Sequence, residues 1–239
     1  ITSEKLTKMI IAIAIKNTFY FAIVTVLIKN IFGFLMALIV KKTSKFNTLL
    51  RAVVFLPMTI SVMVVAIIFV SIYNPTNGII NEGLRAIGLD SLTRDWLFDA
   101  RYSMNSICLM DIWQGTGFTM CVMISGLQAI PTDYYEAAKI DGADKWQQLR
   151  YVTLPLLISS ITISLVFNII SGFKVFAQVY STTNGGPADS THVLGTFLFK
   201  SFGNGFLGYS AAVGLFTTVL IVALSMTLLA ILRKREVEY

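Results

Sequence analysis

The sequence is poor in charge, in cysteine and above all in histidine. Only 13% of its 239 residues are charged, and it contains two cysteines and one histidine. A soluble domain has about a quarter of its residues charged, so this shortage points away from a water-soluble fold. The single histidine, His192, argues against a histidine-based metal site and against an intramembrane enzyme built on a histidine constellation. We expect this lone loop histidine to be solvated.

Three further absences narrow the class of protein. Cys108 and Cys121 are about 20 Å apart along one predicted helix, so they cannot form a disulfide with each other. No Gly-x-x-x-x-Gly-Lys-Ser/Thr sequence occurs, so the chain has no phosphate-binding loop for ATP. The net charge is +6, but the basic residues are scattered between apolar runs. They form no patch of the kind that binds nucleic acid.

Long apolar runs are what the sequence does contain. Hydrophobic residues make up 55% of the chain, and its mean hydropathy is +0.73. A bilayer core needs about 20 apolar residues in a helix, and a helix satisfies its own backbone groups in lipid. The sequence therefore predicts an all-α membrane protein, with residues 1–239 as one transmembrane domain. Five segments are long enough to span a bilayer: 18–40, 53–73, 104–127, 156–180 and 209–232.

Lysine and arginine predict the orientation of these spans. The connecting segments alternate between two sides, and the side with less sequence carries more basic residues. Basic residues concentrate in cytoplasmic loops, so we expect that side to be cytoplasmic. It comprises 41–51, 128–155 and 233–239, whereas the other side comprises 1–16, 74–103 and 181–208.

The start of the chain bears on the number of spans. Five spans with a cytoplasmic C-terminus place the beginning of the sequence outside. The sequence also begins at Ile1 and not at a methionine. We therefore expect a sixth, N-terminal span that this sequence does not include.

Segment 128–155 holds the most specific pattern. Pro131 precedes a short predicted helix, which Asp133 can cap at its N-terminus. Gly142 is predicted to end that helix or to let the chain turn. A second, amphipathic stretch follows, with Trp146, Leu149 and Val152 as its apolar residues, and ends at Pro155. A helix–turn–helix with small residues at its tip suits docking into a groove of a partner.

This pattern resembles a known family. Glu136-Ala137-Ala138, Gly142 and Leu154-Pro155 have the spacing of the EAA loop in permeases of binding-protein-dependent ABC importers. The resemblance to the sugar-permease branch extends along most of the chain, through three more motifs. These are Phe55-Leu56-Pro57, Trp113-Gln114-Gly115-Thr116-Gly117-Phe118 and Thr183-Asn184-Gly185-Gly186-Pro187.

The resemblance implies a type I ABC importer in a bacterial inner membrane. The Asn-Gly-Gly-Pro loop is similar to that of the maltose-permease half that makes most substrate contacts. A second, homologous permease chain, two ATPase subunits and an extracytoplasmic solute-binding protein would complete the assembly. ATP and Mg would bind to the ATPases, and no cofactor to this chain. The implied coupling residues are Glu136, Ala137, Ala138, Asp141, Gly142, Leu154 and Pro155.

The resemblance also implies a set of substrate contacts. An aromatic ring can pack on the apolar face of a sugar, and amides and hydroxyls can bind its hydroxyl groups. Gly172 and Val175 lack the polar groups that maltose recognition uses at these places, which points to another sugar. The implied contacts are Met58, Gly115, Phe118, Asn168, Ser171, Gly172 and Val175.

Polar residues inside the spans allow two interpretations each. Lys29 and Asp111 either line a pathway or pair with each other, and we favour the pair because an intramembrane charge needs a partner. Gln114 and Gln178 either contact substrate or join helices. Lys174 either extends to the membrane interface or binds an acidic sugar, and we favour the interface.

Two other classes of membrane protein compete with an ABC permease. A secondary transporter or channel predicts inverted repeats or an ionisable relay, and neither is evident in the sequence. An intramembrane enzyme predicts a cluster of catalytic residues near the bilayer, which one histidine does not support.

Overall fold

The computed structural model describes the backbone of residues 3–234 and the side chains of residues 9–234, and that part of the chain is helical without strands. A 3-10 turn spans Asp90–Leu92, and a π-helix spans Leu149–Thr153 between α7 and α8. The α-helices are α1 Ser3–Val40, α2 Lys45–Thr59, α3 Val62–Ile72, α4 Ile79–Ala86, α5 Ser103–Ala129, α6 Thr132–Ile140, α7 Lys145–Gln148, α8 Leu154–Leu156, α9 Ile158–Phe173, α10 Ala177–Thr182, α11 Leu194–Gly203 and α12 Leu207–Arg233.

Three helices are individually long and apolar enough to cross a bilayer: α1 from Met9, α5 and α12. They contain the predicted segments 18–40, 104–127 and 209–232. Two bent helix pairs bring the number of candidate spans to five if each pair is counted as one. The pairs are α2 with α3, and the helix Lys145–Leu156 with α9.

The predicted segment 53–73 is not one straight helix. The chain bends by 100° between α2 and α3, at Ile60 and Ser61. Pro57 lies in the last turn of α2, where its ring removes a backbone donor and crowds the preceding turn. Ile60 then adopts an extended conformation, which ends the helix. Two helices therefore replace the single helix expected here, because hydropathy does not register the break, and together they form one candidate span.

The predicted segment 156–180 is also divided. Helix α9 ends at Phe173, and α10 begins at Ala177 after a turn through Lys174. At its other end, α9 meets the preceding helix at an angle of 64° near Leu157. Pro155 lies two residues earlier and cannot donate a backbone hydrogen bond. The structure therefore replaces a straight span with a bent helix followed by a short one.

Helices α1, α5 and α9 pack together as the centre of the molecule, with α2 against α5. Gly117 of α5 faces the backbone of Val54 and Phe55 in α2 so closely that a β-carbon would collide with it. Small residues permit such approaches between membrane helices. Helix α12 packs on α9 and α11, but its apolar window is only 6% buried within the chain.

Candidate functional site

A cavity of about 400 Å³ lies where the bend between α2 and α3 faces α1, α5 and α9. The bend turns α3 away from the axis of α2, so Ile60 and Ser61, which connect the two helices, border the cavity. Residues from six helices (α1, α2, α3, α5, α9 and α10) and from this bend meet at the cavity. The lining residues are Lys29, Met58, Thr59, Ile60, Ser61, Val62, Asp111, Gln114, Gly115, Phe167, Asn168, Ser171 and Gln178.

A buried ion pair forms part of the cavity wall. The Nζ atom of Lys29 lies 2.5 Å from Oδ2 of Asp111, and their side chains are 3% and 6% exposed. Gln178 donates a hydrogen bond of 3.0 Å from Nε2 to Oδ1 of Asp111. The predicted pair is therefore confirmed. The structure adds that both of its members border the cavity, so the pairing and lining interpretations are compatible.

The Trp-Gln-Gly motif makes room for this pair. Gly115 lies against the Lys29 side chain, and a β-carbon at this position would come within 2.8 Å of Cε. Such a contact would force the lysine to move. Gln114 donates from Nε2 to the carbonyl oxygen of Ile60 at 2.9 Å, which satisfies a group near the helix break. Gln114 and Gln178 thus make the interhelical hydrogen bonds that were one of their two predicted roles, and both line the cavity.

Asn168 belongs to a polar chain that crosses three helices. Its Nδ2 donates to Oγ1 of Thr119 at 3.0 Å and to Oγ of Ser164 at 3.4 Å. Ser164 in turn donates to Oδ1 of Asn30 at 2.7 Å. These bonds connect α9 with α5 and α1. Because Asn168 also lines the cavity, its position couples helix packing to the shape of the site.

The structure brings together four of the seven predicted substrate positions: Met58, Gly115, Asn168 and Ser171. Phe118 is not among the lining residues, but its ring packs on that of Phe167, with centroids 4.1 Å apart. Phe167 does line the cavity. Phe167 was not among the predicted contacts, although its position four residues before Ser171 places both on one side of α9.

Gly172 and Val175 lie elsewhere. Gly172 packs against Ala22 of α1, and Val175 is 1% exposed within a hydrophobic cluster. The resemblance placed Val175 in the same span as Asn168, but α9 ends at Phe173. The chain then turns, so Val175 no longer continues the cavity-facing side of that helix. Lys174 is exposed in that turn and is not among the lining residues.

Segment 128–155 folds as a helix, a turn and a second helix. Helix α6 begins at Thr132 with Pro131 as its N-cap, so Asp133 lies in the first turn and is not the cap. The helix begins two residues earlier than a cap at Asp133 would require, because Pro131, with an extended ψ of 141°, is the last residue before it. The predicted end of the helix is confirmed at Gly142, which has a φ of +79°. Backbone bonds from Gly142 to Lys139 and from Ala143 to Ala138 complete a Schellman motif.

The second helix is held against the first. Asp144 and Gln147 form a capping box that begins α7. The hydroxyl of Tyr135 lies 3.1 Å from Oγ1 of Thr153 and connects α6 to the π-helix. Leu154 and Pro155 are half-buried where this helix meets α9.

The tip of the segment is open to solvent. A β-carbon at Gly142 would meet nothing within 4 Å. Large apolar side chains near it are exposed, Ile140 at 87% and Trp146 at 66%. Among the predicted coupling positions, Glu136, Ala137, Asp141 and Gly142 are exposed, and Ala138 is half-buried.

The expectation that His192 is solvated is wrong. Its side chain is 2% exposed, and Nε2 lies 3.0 Å from Oδ1 of Asp189. Nδ1 lies 3.1 Å from Oγ1 of Thr196. Burial lowers the pKa of His192, and the charge of Lys200 lowers it further, against the opposing effect of Asp189. Asn17 of α1 donates hydrogen bonds to the backbone of this loop, at Ser190 and His192, which is a tertiary contact that no local pattern shows.

Metal-ligating and thiol groups are sparse in the part of the chain that the structure describes. Among those residues, no group of three or more His, Cys, Asp or Glu side chains could hold a metal ion. Cys108 and Cys121 both lie in α5, and each is a free thiol.

Curated relatives share most of this chain. A protein of Bacillus subtilis named "Probable ABC transporter permease protein YurN" is 37% identical over 90% of this chain and 74% of its own. The trehalose/maltose transport system permease protein MalF of Thermococcus litoralis is 32% identical over 92% of this chain and 74% of its own. The sulfoquinovosyl glycerol transport system permease protein SmoG of Agrobacterium fabrum is 29% identical over 92% of this chain and 71% of its own.

Solved structures agree with these relatives. A bacterial ABC transporter involved in the import of the acidic polysaccharide alginate matches with a TM-score of 0.83 at 25% identity, over 93% of this chain and 79% of that chain. The methionine transporter MetNI matches with a TM-score of 0.61 at 17% identity, which is a likeness of fold alone.

The family model described as "Binding-protein-dependent transport system inner membrane component" matches residues 29–237. This range includes the bent helix pair, the cavity and segment 128–155. The chain is thus an integral membrane protein with the type I importer fold. It belongs to the family of binding-protein-dependent transport system inner membrane components, the permease subunits of ABC importers.

Proposed function

We propose that this chain is one permease half of an ATP-driven importer that carries a sugar or oligosaccharide through the central cavity. The cavity carries the proposal, because it combines an aromatic ring with amide, hydroxyl and charged groups in the middle of the helix bundle. Sugars need both kinds of surface, an apolar one for the ring face and a polar one for the hydroxyls. The sugar-permease relatives support the same class of substrate.

Within this proposal, Phe167 supplies the apolar surface, supported from behind by Phe118. Asn168, Ser171, Gln114 and Gln178 supply hydrogen-bonding groups at the wall. Met58 and Gly115 shape the space between them. Gly172 and Val175 are omitted, because they pack on α1 and in the apolar core.

Segment 128–155 is proposed as the contact with an ATPase subunit. Its first helix ends at Gly142 with exposed small and apolar residues, as a segment that inserts into a groove requires. Leu154 and Pro155 lie where its second helix joins α9, and Asn168 and Ser171 of α9 border the cavity. A displacement of segment 128–155 would therefore move α9 directly, and with it the side chains of α9 that border the cavity.

The proposed assembly contains this chain, a second permease chain, two ATPase subunits with ATP and Mg, and an extracytoplasmic solute-binding protein. We place it in the inner membrane of a bacterium, with segment 128–155 and the C-terminus in the cytoplasm. Basic residues at Lys41, Lys42, Lys45 and Arg51 support this orientation. The lipid-facing surface includes the exposed apolar side chains of α12.

The test is uptake by the complete importer. The chain would be purified together with its partner permease, ATPase and binding-protein subunits, and reconstituted into proteoliposomes. Labelled neutral and uronate oligosaccharides would be supplied on the binding-protein side. We expect uptake of at least one glycan that requires both internal ATP and the binding protein. Uptake that persists without ATP would indicate a secondary transporter, and amino-acid uptake without sugar uptake would contradict the substrate class.

A further inference from the structure

The wall of the cavity contains two residues of opposite charge, which balance each other. Among the residues that line the cavity, only Lys29 and Asp111 carry a formal charge. They are held together directly, and Gln178 occupies the second carboxylate oxygen of Asp111. Lys174, another basic residue of this region, is exposed beyond the end of α9 and does not line the cavity. The wall therefore presents polar groups to the cavity with no net charge.

The substrates named for the relatives differ in charge, so the charge of the cavity wall bears on which substrates this chain admits. Their names include a transporter of neutral disaccharides, a permease for sulfoquinovosyl glycerol and an importer of an acidic polysaccharide. Proteins that share this fold thus differ in the charge of what they carry. The fold alone does not decide between neutral and anionic glycans, and the cavity wall is the part of this chain that a glycan would contact under the proposed function.

We propose that Asp111 determines the charge selectivity of the cavity, by neutralising Lys29 and thereby admitting uncharged glycans while rejecting uronates and sulfonated sugars. This inference rests on the proposed function and names the substrate class at the same site. A neutral glycan can exchange hydrogen bonds with Lys29, Gln178 and Asp111 while the ion pair stays intact. An anionic glycan must instead approach the Asp111 carboxylate, or replace it and leave it buried without a partner. Selectivity of this kind depends on a repulsive group as much as on an attractive one.

Gly115 supports a role for the pair beyond helix packing. A larger residue there would fill the space that the lysine side chain occupies beside the cavity. The absence of a side chain keeps the ammonium group both paired and at the wall. A purely structural ion pair would not need to border the cavity.

The first test separates substrate selection from structural support. The double variant Lys29→Met and Asp111→Leu replaces the pair with apolar side chains of similar volume, a change that buried ion pairs often tolerate. We expect its melting temperature to stay close to that of the unaltered importer, while uptake of its neutral glycan falls at least about tenfold. Normal uptake by this variant would show that the pair only joins α1 to α5.

A matched control lies one turn away. Thr25 is fully buried on α1 and does not line the cavity. Thr25→Val also replaces a buried polar group near Lys29, and we expect it to retain uptake. Equal losses in Thr25→Val and in the double variant would contradict a specific role for the pair.

The second test needs no binding protein, and its decisive comparison uses the unaltered importer. Saturation-transfer NMR would compare methyl β-D-glucopyranoside with methyl β-D-glucuronide on the purified importer. We expect transfer to the glucoside and little to the glucuronide, with the preference reversed in Asp111→Asn, where Lys29 loses its carboxylate. Equal transfer to both sugars in the unaltered importer would overturn the proposal. Failure of ATP-dependent sugar uptake by the unaltered importer would instead contradict the proposed function, so the two failures are distinguishable.

Discussion

Replacing Gly142 with aspartate is expected to abolish transport while leaving membrane insertion intact. Gly142 adopts a φ of +79°, a conformation that costs an ordinary L-residue about 1–2 kcal/mol. Asparagine and aspartate enter this region more easily than other non-glycine residues. A new side chain at Gly142 would meet nothing within 4 Å in the chain itself. The cost to folding should therefore be about 1 kcal/mol or less, and the larger effect should fall on the proposed ATPase contact.

Three variants at this position separate the possible causes. Gly142→Ala adds the backbone cost with a small side chain, Gly142→Asn adds bulk with little strain, and Gly142→Asp adds bulk and charge. If docking is what fails, uptake should decrease in the order Ala, Asn, Asp, although Ala carries the largest strain. If strain alone were responsible, the alanine variant would be the most impaired.

The assay combines three measurements on the reconstituted importer. Membrane content and melting temperature report folding, ATP hydrolysis stimulated by the binding protein reports coupling, and sugar uptake reports transport. We expect the aspartate variant to retain its membrane content and to lose stimulated hydrolysis and uptake by at least about tenfold. Normal uptake by Gly142→Asp would refute the assignment of this turn to the ATPase contact.

Three further predictions concern orientation, packing and pH. Cysteine at the exposed Ser91 should react with an impermeant thiol reagent from outside the cell and cysteine at Lys145 should not, whereas the opposite labelling would reverse the proposed topology. Asn168→Ala removes the hydrogen bond to Thr119, worth about 1 kcal/mol, and should lower both melting temperature and uptake; unchanged values of both would contradict its place in the cavity wall. Because the folded-state pKa of His192 is lowered, chiefly by burial, stability should be greatest above the ordinary value of 6.5 and should decrease as pH falls through the lowered folded-state pKa. Between pH 7.5 and 5, the melting temperature of His192→Gln should decrease less than that of the unaltered protein. An equal decrease in the variant would assign the pH dependence to other groups.

The pairing of Lys29 with Asp111 shows what could be predicted about the site. Each charge lies within an apolar run, and its cost in lipid demands a partner, so the pair follows from the sequence without knowledge of the fold. Its place at a cavity does not follow, because the cavity depends on the bend after Pro57 and on Gly115 of another helix. All seven predicted substrate positions came from the family resemblance. Four of them line the cavity, whereas Val175 does not, because α9 ends at Phe173 and the chain turns before Val175.

His192 and Phe167 were misjudged for a related reason. Nothing beside His192 in the sequence indicates burial, since Asn17 and Thr18, which hold its loop and the start of α11, are distant in the chain. Phe167 is one apolar residue among many in α9, and only the packing of α5 shows that its ring borders a cavity with Phe118 behind it. Whether a side chain is exposed to solvent or lines a cavity depends on how the helices pack, so the local sequence pattern does not show it.

The sequence by itself determined that the chain is helical and membrane-embedded, because lipid leaves long apolar runs no other way to satisfy their backbone groups. It also determined the turn at Gly142, since glycine adopts a positive φ at little cost. Tertiary structure decided where α2 and α3 separate, which side chains meet at the cavity and which loop is buried. These features depend on contacts between helices far apart in the chain, where the direction of each side chain is set by packing and not by its neighbours in sequence.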